Sequence, residues 1–485
     1  MKRVAIIGAG IAGLAAAHRL LERSADSGEP LELLIFEAGS RLGGTIKTEE
    51  RDGFLLERGP DSFITEKPEA LELARRLGLE SQLIQTNETH RRSFIARGDR
   101  LIPVPAGFQL IAPTEFWPFV NSEILSWSGK ARMALDLVLP RLKTNGSMAE
   151  SMDESLAQFI RRRLGREALE RVAQPMIGGI YTADPEKLSL QATMPRFIEL
   201  ERKHRSVIRA LRRENAGPSR EDQSHTQGAR YSLFASFERG MQVLVDRLAD
   251  KLATIGIALR TRVTSVALDR TSMQWRVRSE HGPAITVDAV CLAVPAYAAA
   301  SLLGECDVLL SAGLNQIPYE SSATVNFAYR RADIPHPLGG FGFVVPFIEK
   351  RSLIACTFSS VKFAGRAPQD SVLLRAFVGG ALQREMVELE ETEIVSRVRA
   401  DLRDLLGIEK APLFSEVSKW QKSMPQYEIG HIGRINKIAE RLVALPGLAL
   451  AGNAYSGVGI PDCIRSGETA ADSLFAAIHE ARVNS

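Results

Sequence analysis

Four apolar residues, a glycine-spaced turn and an alanine-rich run, Val4-Ala5-Ile6-Ile7-Gly8-Ala9-Gly10-Ile11-Ala12-Gly13-Leu14-Ala15-Ala16-Ala17, restrict the start of this chain to one local architecture. Val4 to Ile7 suits a strand buried on both faces, and Leu14 to Arg23, free of Gly and Pro, suits a helix. Between them Gly8 permits a tight bend, Gly10 lets backbone approach a pyrophosphate, and Gly13 lets helix and strand pack closely. A second strand, Leu31 to Phe36, ends in Glu37, where a ribose-binding carboxylate belongs, and Ser24 to Pro30 reads as an inserted loop.

A nicotinamide site needs no further glycines. Here Ala38 and Arg41 are followed by Gly43-Gly44-Thr45 and then by Gly59-Pro60-Asp61-Ser62, as expected where the longer FAD is covered by close backbone approach. Arg41 is placed to supply charge to the phosphates. Near the other end a buried-type strand, Leu448 to Ala451, leads through Gly452 and the Gly457-Val458-Gly459-Ile460 turn into an Ala-rich helix. The N-terminal amides of that helix are expected to face the flavin ring.

The bulk numbers exclude several classes. At 485 residues and 45% hydrophobic, the chain is long enough for two or three domains. A formal net charge of +3 gives no field suited to nucleic acid, and Arg161-Arg162-Arg163 and Arg202-Lys203-His204-Arg205 read as solvated helix faces. Cys291, Cys306, Cys356 and Cys463 lack metal-ligand or disulfide spacing, so neither metal nor disulfide is expected. The first strand begins almost at once and no apolar run approaches a membrane span, so the expectation is a cytoplasmic protein without a leader, soluble or resting peripherally on a membrane.

Along the chain, Glu69 to Leu77 reads as a helix and Arg92 to Val104 as a strand pair turning at Arg97-Gly98-Asp99. Phe108 to Leu142 concentrates Phe116, Trp117, Phe119 and Trp127, which suits a helical core layer, an apolar entry or a membrane-facing surface. Ser151 and Glu154 form a candidate capping box for a helix carrying Leu156, Phe159, Ile160 and Leu164, and Asn215 to Gly228 reads as a polar loop. Phe237 to Leu252 suits a helix and Ile257 to Val266 a strand; Trp275 to Arg278, Ile285 to Val287 and Ala289 to Val294 are expected to extend the first sheet. Residues from Ser322 to Val378 predict a second, antiparallel sheet. The expected class is α/β: a discontinuous Rossmann-like FAD domain (1–90, 230–300 and 435–485), a mainly helical subdomain (91–210), and a mixed-sheet α+β substrate domain (301–434 with parts of 55–105).

Glu37-Ala38, Arg41 with Gly43-Gly44, Glu57-Arg58-Gly59-Pro60-Asp61-Ser62, Trp420 with Met424-Pro425-Gln426-Tyr427 and Gly430-His431, and Gly457 to Gly467 together make nearly the whole chain resemble the oxygen-dependent, HemY-like protoporphyrinogen oxidases. The resemblance implies noncovalent FAD contacted by Gly8 to Gly13 (with Ala9, Ile11 and Ala12), Glu37, Ala38, Thr45, Gly59 to Ser62, Val263, Trp420 and Val458 to Ile460. It implies a porphyrinogen substrate with molecular oxygen as acceptor, Phe377 against the tetrapyrrole, and Asp61 at the flavin end of the pocket, where its carboxylate suits an orienting or proton-accepting role or, equally, a structural part in the flavin loop. Phe343, Val344 and Ile354 complete the expected substrate set. Two departures stand out. The strand position where relatives hold a propionate with arginine is Ser93, leaving Arg91, Arg92 or Arg97 to substitute, and Ile180-Tyr181-Thr182-Ala183-Asp184 lacks the usual glycine before its Asp. Protoporphyrinogen IX is the expected substrate, with coproporphyrinogen III as the alternative. An amine oxidase, a desaturase and a flavin-binding scaffold are more distant rivals, and a homodimer or contact with neighbouring heme-pathway enzymes remains open.

Overall fold

The computed structural model describes residues 1–109, 111–141, 153–216 and 233–483. At its centre is a five-stranded parallel sheet in the order Gly256–Ala258, Leu31–Phe36, Lys2–Ile7, Ala289–Leu292, Leu448–Leu450. In the Lys2–Ile7 strand, Val4 to Ile7 are all apolar and buried because both faces of the strand are covered there. Val4 and Ile6 pack with the helices Ile11–Ser27 and Ile460–Val483, while Ala5 and Ile7 pack on the opposite core with Trp275, Val277 and Ala299. The two helices meet backbone to backbone: a Cβ on Gly467 would lie 2.1 Å from the Ala12 carbonyl oxygen.

Several expectations need correction. The first helix runs through Ser24 to Ser27, where Gly28 at φ 71 caps it, so no inserted loop begins at Ser24. Ile257 to Val266 is two strands, Gly256–Ala258 and Val263–Asp269, parted at Arg260 (φ 52). Gln274–Ser279 and Ile285–Val287 do not extend the parallel sheet. They pair antiparallel with Val263–Asp269 as a separate sheet whose Trp275 and Val277 face the core and Arg276 and Arg278 the solvent. The alternation of apolar and charged residues marks such a one-sided sheet. Phe237 ends a strand, Phe234–Phe237, and the helix that follows is Gln242–Lys251.

A seven-stranded sheet follows the order Phe414–Pro425, Tyr319–Arg330, Ser371–Gly379, Ala355–Phe358, Gly342–Val344, Ser93–Arg97, Arg100–Pro103. Its neighbours are antiparallel except where Gly342–Val344 runs parallel to Ser93–Arg97. One face is covered by the helix Glu391–Leu406 through Ile394, Val398 and Leu402. The other carries Ile95 and Val344 against a helical lobe whose core includes Phe159, Ile160 and Ile177.

In that lobe the helix Leu156–Arg163 is capped by Ser155 and Gln158, each side chain bonding the other's backbone N–H at 3.1 Å. Ser151 lies outside the described residues, as does 217–232, most of the polar loop read from sequence. Arg163 is not on a solvated face: it is fully buried, bonded to Asp136 Oδ1 at 2.7 Å and to the carbonyls of Pro140 and Arg205.

Candidate active site

The glycine turn divides its labour. At Gly8 (φ 101) a Cβ would lie 2.4 Å from the Ala293 carbonyl oxygen, and at Gly13 it would lie 2.0 Å from the Gly8 oxygen. A Cβ built on Gly10 would meet nothing within 4 Å among the described residues. The first and third glycines are therefore closed by protein and the second opens onto free space at the N-terminus of Ile11–Ser27, which has no side-chain cap and no acid in its first turn. An uncapped helix start behind an open glycine suits a pyrophosphate. The side chains of Ala9, Ile11 and Ala12 are buried in the core, leaving their backbone to face a ligand.

Glu37 follows the second strand, and its carboxylate accepts the N–H of Ala9 at 2.8 Å and of Gly39 at 2.6 Å. Lone pairs remain on both oxygens for ribose hydroxyls. Arg260 and Thr261 close over this corner by bonding the carbonyls of Gly39 and Glu37, with buried Val263 just beyond. The Gly43-Gly44 pair is a second rigid turn laid on the first: Gly43 N–H bonds the Ala9 carbonyl at 2.8 Å, and a Cβ on Gly44 would lie 3.1 Å from Gly10 Cα. Arg41 departs from expectation. Its guanidinium turns onto its own loop, donating to the carbonyls of Leu42, Gly44 and Ile46, so it braces the turn rather than reaching for phosphates. Ala38 is exposed at the rim, and Thr45 and Gly59 touch so closely that a Cβ on Gly59 would lie 1.7 Å from the Thr45 oxygen.

Glu57 to Ser62 is gripped carbonyl by carbonyl. Asn326 donates to the Glu57 oxygen at 3.1 Å, Thr324 and the Trp420 indole to that of Arg58 at 3.1 Å each, Arg375 to that of Gly59, and Ser236 to that of Asp61 at 2.7 Å. Most of these donors come from the seven-stranded sheet, which thus fixes the segment beside the cradle. The Asp61 carboxylate accepts from Ser62 Oγ at 2.8 Å and from Lys362 Nζ at 3.1 and 3.2 Å. Burial would raise its pKa, but Lys362, Arg375 and the two hydrogen bonds outweigh that and hold it well below the ordinary carboxylate range. Lys362 and Arg375 were not singled out in sequence. Each is a lone cation in an apolar run, Val361-Lys362-Phe363 and Leu374-Arg375-Ala376, and that was the available signal.

The closing turn completes the wall. Gly452 N–H bonds Ser466 Oγ at 3.0 Å, and Asp462, buried at the start of Ile460–Val483, accepts from Gly459 N–H at 3.2 Å, Lys67 at 2.7 Å and Arg465 at 2.6 Å. Among the described residues nothing lies within 4 Å of a Cβ built on Gly452, a second open glycine. Val458 and Gly459 are half-buried, and Ile460 is buried.

Strand register sorts the expected substrate residues. Ile95, Val344, Ala355, Phe377 and Thr324 form one cross-strand row on the face toward the helical lobe and the Glu57–Ser62 segment. Phe343 is displaced by one residue, so it falls on the other face, 2% exposed and edge-on to Phe358 in the core beneath Glu391–Leu406. It is a packing residue, not a substrate contact. Ile354 is half-buried, its N–H bonding the Phe377 carbonyl at 3.0 Å. Arg92 is exposed, and Arg97 donates to the Glu123 carbonyl in the helical lobe. The lobe is tied to the sheet at both ends of the helix Gln174–Tyr181: Gln174 Oε1 accepts Phe347 N–H, and the Thr182 oxygen accepts Ala381 N–H, each at 2.8 Å. Thr182 itself takes the left-handed φ of 49.

This fold, with a dinucleotide cradle of open glycines and a carboxylate set for ribose, defines an FAD-dependent oxidoreductase. The chain belongs to the flavin containing amine oxidoreductase family, which matches residues 11–474. It is 36% identical to a coproporphyrinogen III oxidase of Bacillus subtilis over 97% of each chain. It is 29% identical to protoporphyrinogen oxidase 2 of Arabidopsis thaliana over 97% of this chain and 93% of that protein. Among solved structures, a protein from Exiguobacterium sp. 255-15 whose name provisionally assigns it as a protoporphyrinogen oxidase superposes with a TM-score of 0.84, at 31% identity over 98% of both chains.

Proposed function

We propose that the chain oxidises a porphyrinogen to the corresponding porphyrin, removing six electrons and passing them to molecular oxygen as hydrogen peroxide. The observation that carries this is end-to-end similarity to enzymes named for that reaction, at 36% identity over 97% of each chain. FAD, which Gly8 to Gly13, Glu37 and the Gly43-Gly44 turn would hold, would supply the hydride-accepting and oxygen-reactive chemistry. The chain's own residues hold and orient the tetrapyrrole. Phe377, Val344 and Ala355 offer an apolar row to its face, and the Asp61 carboxylate accepts hydrogen bonds from its pyrrole N–H groups. Loss of hydride leaves positive charge on the ring, which an ionised carboxylate stabilises. With Lys362 and Arg375 keeping it anionic, Asp61 is a poor proton acceptor, which favours an orienting role over a basic one.

Of the two porphyrinogens, coproporphyrinogen III is favoured by 36% identity to an oxidase named for it, against 29% for the protoporphyrinogen oxidase. Anaerobic stopped-flow mixing with each separately decides the matter: fast loss of the oxidised flavin band names the substrate, and bleaching by neither overturns the proposal.

No helix among the described residues is long and apolar enough to cross a membrane. The helical lobe nevertheless exposes Phe116, Trp117, Trp127 and Val138, with Lys130 Nζ 4.4 Å from the Trp127 ring centroid. Aromatic residues beside lysine suit a bilayer interface, and this surface supports peripheral membrane contact. Cosedimentation with anionic vesicles, lost in a Trp117→Ser/Trp127→Ser variant, tests it.

A further inference from the structure

The hydroxyl of Tyr427 lies within the closing turn of the cradle. It donates to the Asn453 carbonyl at 2.6 Å and accepts the Gly457 N–H at 2.8 Å, so one oxygen ties together the two sides of the Gly452–Gly459 segment. That segment is poor in intrinsic stiffness. Gly452 and Gly457 sit at φ 127 and 134, conformations that only glycine adopts readily, and such a loop needs an external brace to hold one shape.

Tyr427 is itself immobilised. Its ring is 2% exposed and stacks on His431 with centroids 4.0 Å apart and planes 13° apart. Burial lowers the His431 pKa to about 4, so the stack is between neutral rings near neutral pH. The Tyr427 carbonyl accepts Ser189 N–H from the helical lobe at 2.8 Å, the neighbouring Gln426 amide donates to the Tyr181 carbonyl at 3.2 Å, and Asn453 Nδ2 donates to the Ser423 carbonyl at 3.2 Å. Upstream on the same stretch, Trp420 holds the Arg58 carbonyl. One run of eight residues, Trp420 to Tyr427, thus touches the Glu57–Ser62 segment, the helical lobe and the closing turn in succession.

We propose that Tyr427 is a positioning residue for the flavin, its hydroxyl holding the Gly452–Gly459 turn, whose Gly452, Gly457 and Gly459 N–H groups are taken by Ser466, Tyr427 and Asp462, in the one conformation that sets the N-terminal amides of the Ile460–Val483 helix toward the ring. The inference rests on the flavin assignment and not on the identity of the substrate. Preorganised amides stabilise the negative charge that arrives on reduction, and a slack turn loses that advantage because it must reorganise when the charge appears.

The test compares the Tyr427→Phe holoenzyme with wild type and with Tyr329→Phe, another fully buried tyrosine, which lies in the seven-stranded sheet away from the turn. FAD release on dilution is followed by fluorescence, and the midpoint potential by dye equilibration. Tyr427→Phe is expected to raise the FAD dissociation constant about tenfold, as the loss of two hydrogen bonds from one oxygen implies, and to lower the potential and the flavin reduction rate while leaving KM unchanged. Tyr329→Phe is expected to lower Tm with both flavin readouts unmoved. Wild-type affinity and potential in Tyr427→Phe overturn the proposal, as do equal shifts in Tyr329→Phe. Loss of FAD from a Tyr427→Phe protein that keeps its far-ultraviolet circular dichroism is the expected effect in its extreme form, whereas global unfolding overturns a role confined to the turn. If no porphyrinogen reduces the wild-type flavin, the substrate proposal fails and these readouts still decide this one.

Discussion

Lys362 Nζ lies 3.1 Å from Asp61 Oδ2, joining the short helix Ser359–Lys362, which links two strands of the seven-stranded sheet, to the Glu57–Ser62 segment through a mostly buried ion pair. The Asp61 carboxyl is held low in the folded protein, so the stability it contributes is complete above its unfolded value, roughly pH 4, and is lost only as pH falls through the lower folded value. Between pH 5 and 8 the wild-type rate of flavin reduction should therefore show no limb from Asp61. Removing the ammonium in Lys362→Met leaves burial less opposed. That variant should be destabilised by about 3 kcal/mol and acquire an acid limb, which Lys362→Arg should abolish. Asp61→Ala should cut turnover at unchanged flavin content; unchanged turnover removes Asp61 from the mechanism.

The glycines of the first turn separate folding from binding. A Cβ at Gly10 meets no protein within 4 Å, whereas at Gly13 it would lie 2.0 Å from the Gly8 carbonyl oxygen. Gly10→Ala should keep a far-ultraviolet spectrum like that of wild type and lose FAD, because the methyl stands where the pyrophosphate passes. Gly13→Ala should lower Tm as well, since helix and strand must part. Flavin absorbance per protein and thermal melts of both variants check the contrast.

Phe343 and Phe377 are both aromatic strand residues, yet they belong to opposite faces of one sheet. Phe377→Ala should reduce kcat/KM by an order of magnitude or more with little loss of stability, its ring being half-buried beneath the Arg375 guanidinium at 4.8 Å. Phe343→Ala opens a hole in the core beneath Glu391–Leu406 and should cost about 3–5 kcal/mol, leaving KM unchanged in the folded enzyme. Urea melts with steady-state kinetics on both variants test the assignment.

That pair also shows what the sequence could convey. Gly8 to Gly13, Glu37 and Gly43-Gly44 were legible because glycine spacing and a strand-end carboxylate report local backbone geometry, which is what the cradle consists of. The face a side chain occupies in the seven-stranded sheet depends on register between strands as remote as Gly342–Val344 and Ser93–Arg97, and a shift of one residue exchanges the faces. The roles of Lys362 and Arg375 are hidden from the sequence for a related reason: their partners, Asp61 and the Gly59 carbonyl, lie about 300 residues away. The antiparallel sheet around Trp275 reads in sequence as an extension of the parallel one because Ala289–Leu292, which does join it, follows directly.

Glu57 gives a pH dependence of opposite sign to that of Asp61. Its carboxylate accepts Met241 N–H and Thr48 Oγ1 at 2.8 Å each, but it is 4% exposed, and burial pushes its pKa up to about 7 despite those bonds. The folded protein therefore holds a proton that the unfolded chain releases near pH 4, so this group's contribution to stability falls as pH rises from about 4 to 7 and is flat above. The loss amounts to about 3 kcal/mol over that window. Glu57→Gln keeps the shape and removes the titration. Its Oε1 can still accept from Met241, and its amide can donate to the Thr48 hydroxyl once that hydroxyl rotates. Tm measured from pH 5 to 8 should decline less in Glu57→Gln than in wild type, with the variant the more stable at pH 8. An equal decline in both would assign the pH dependence to another group and leave Glu57 an ordinary ionised cap on the Gln242–Lys251 helix.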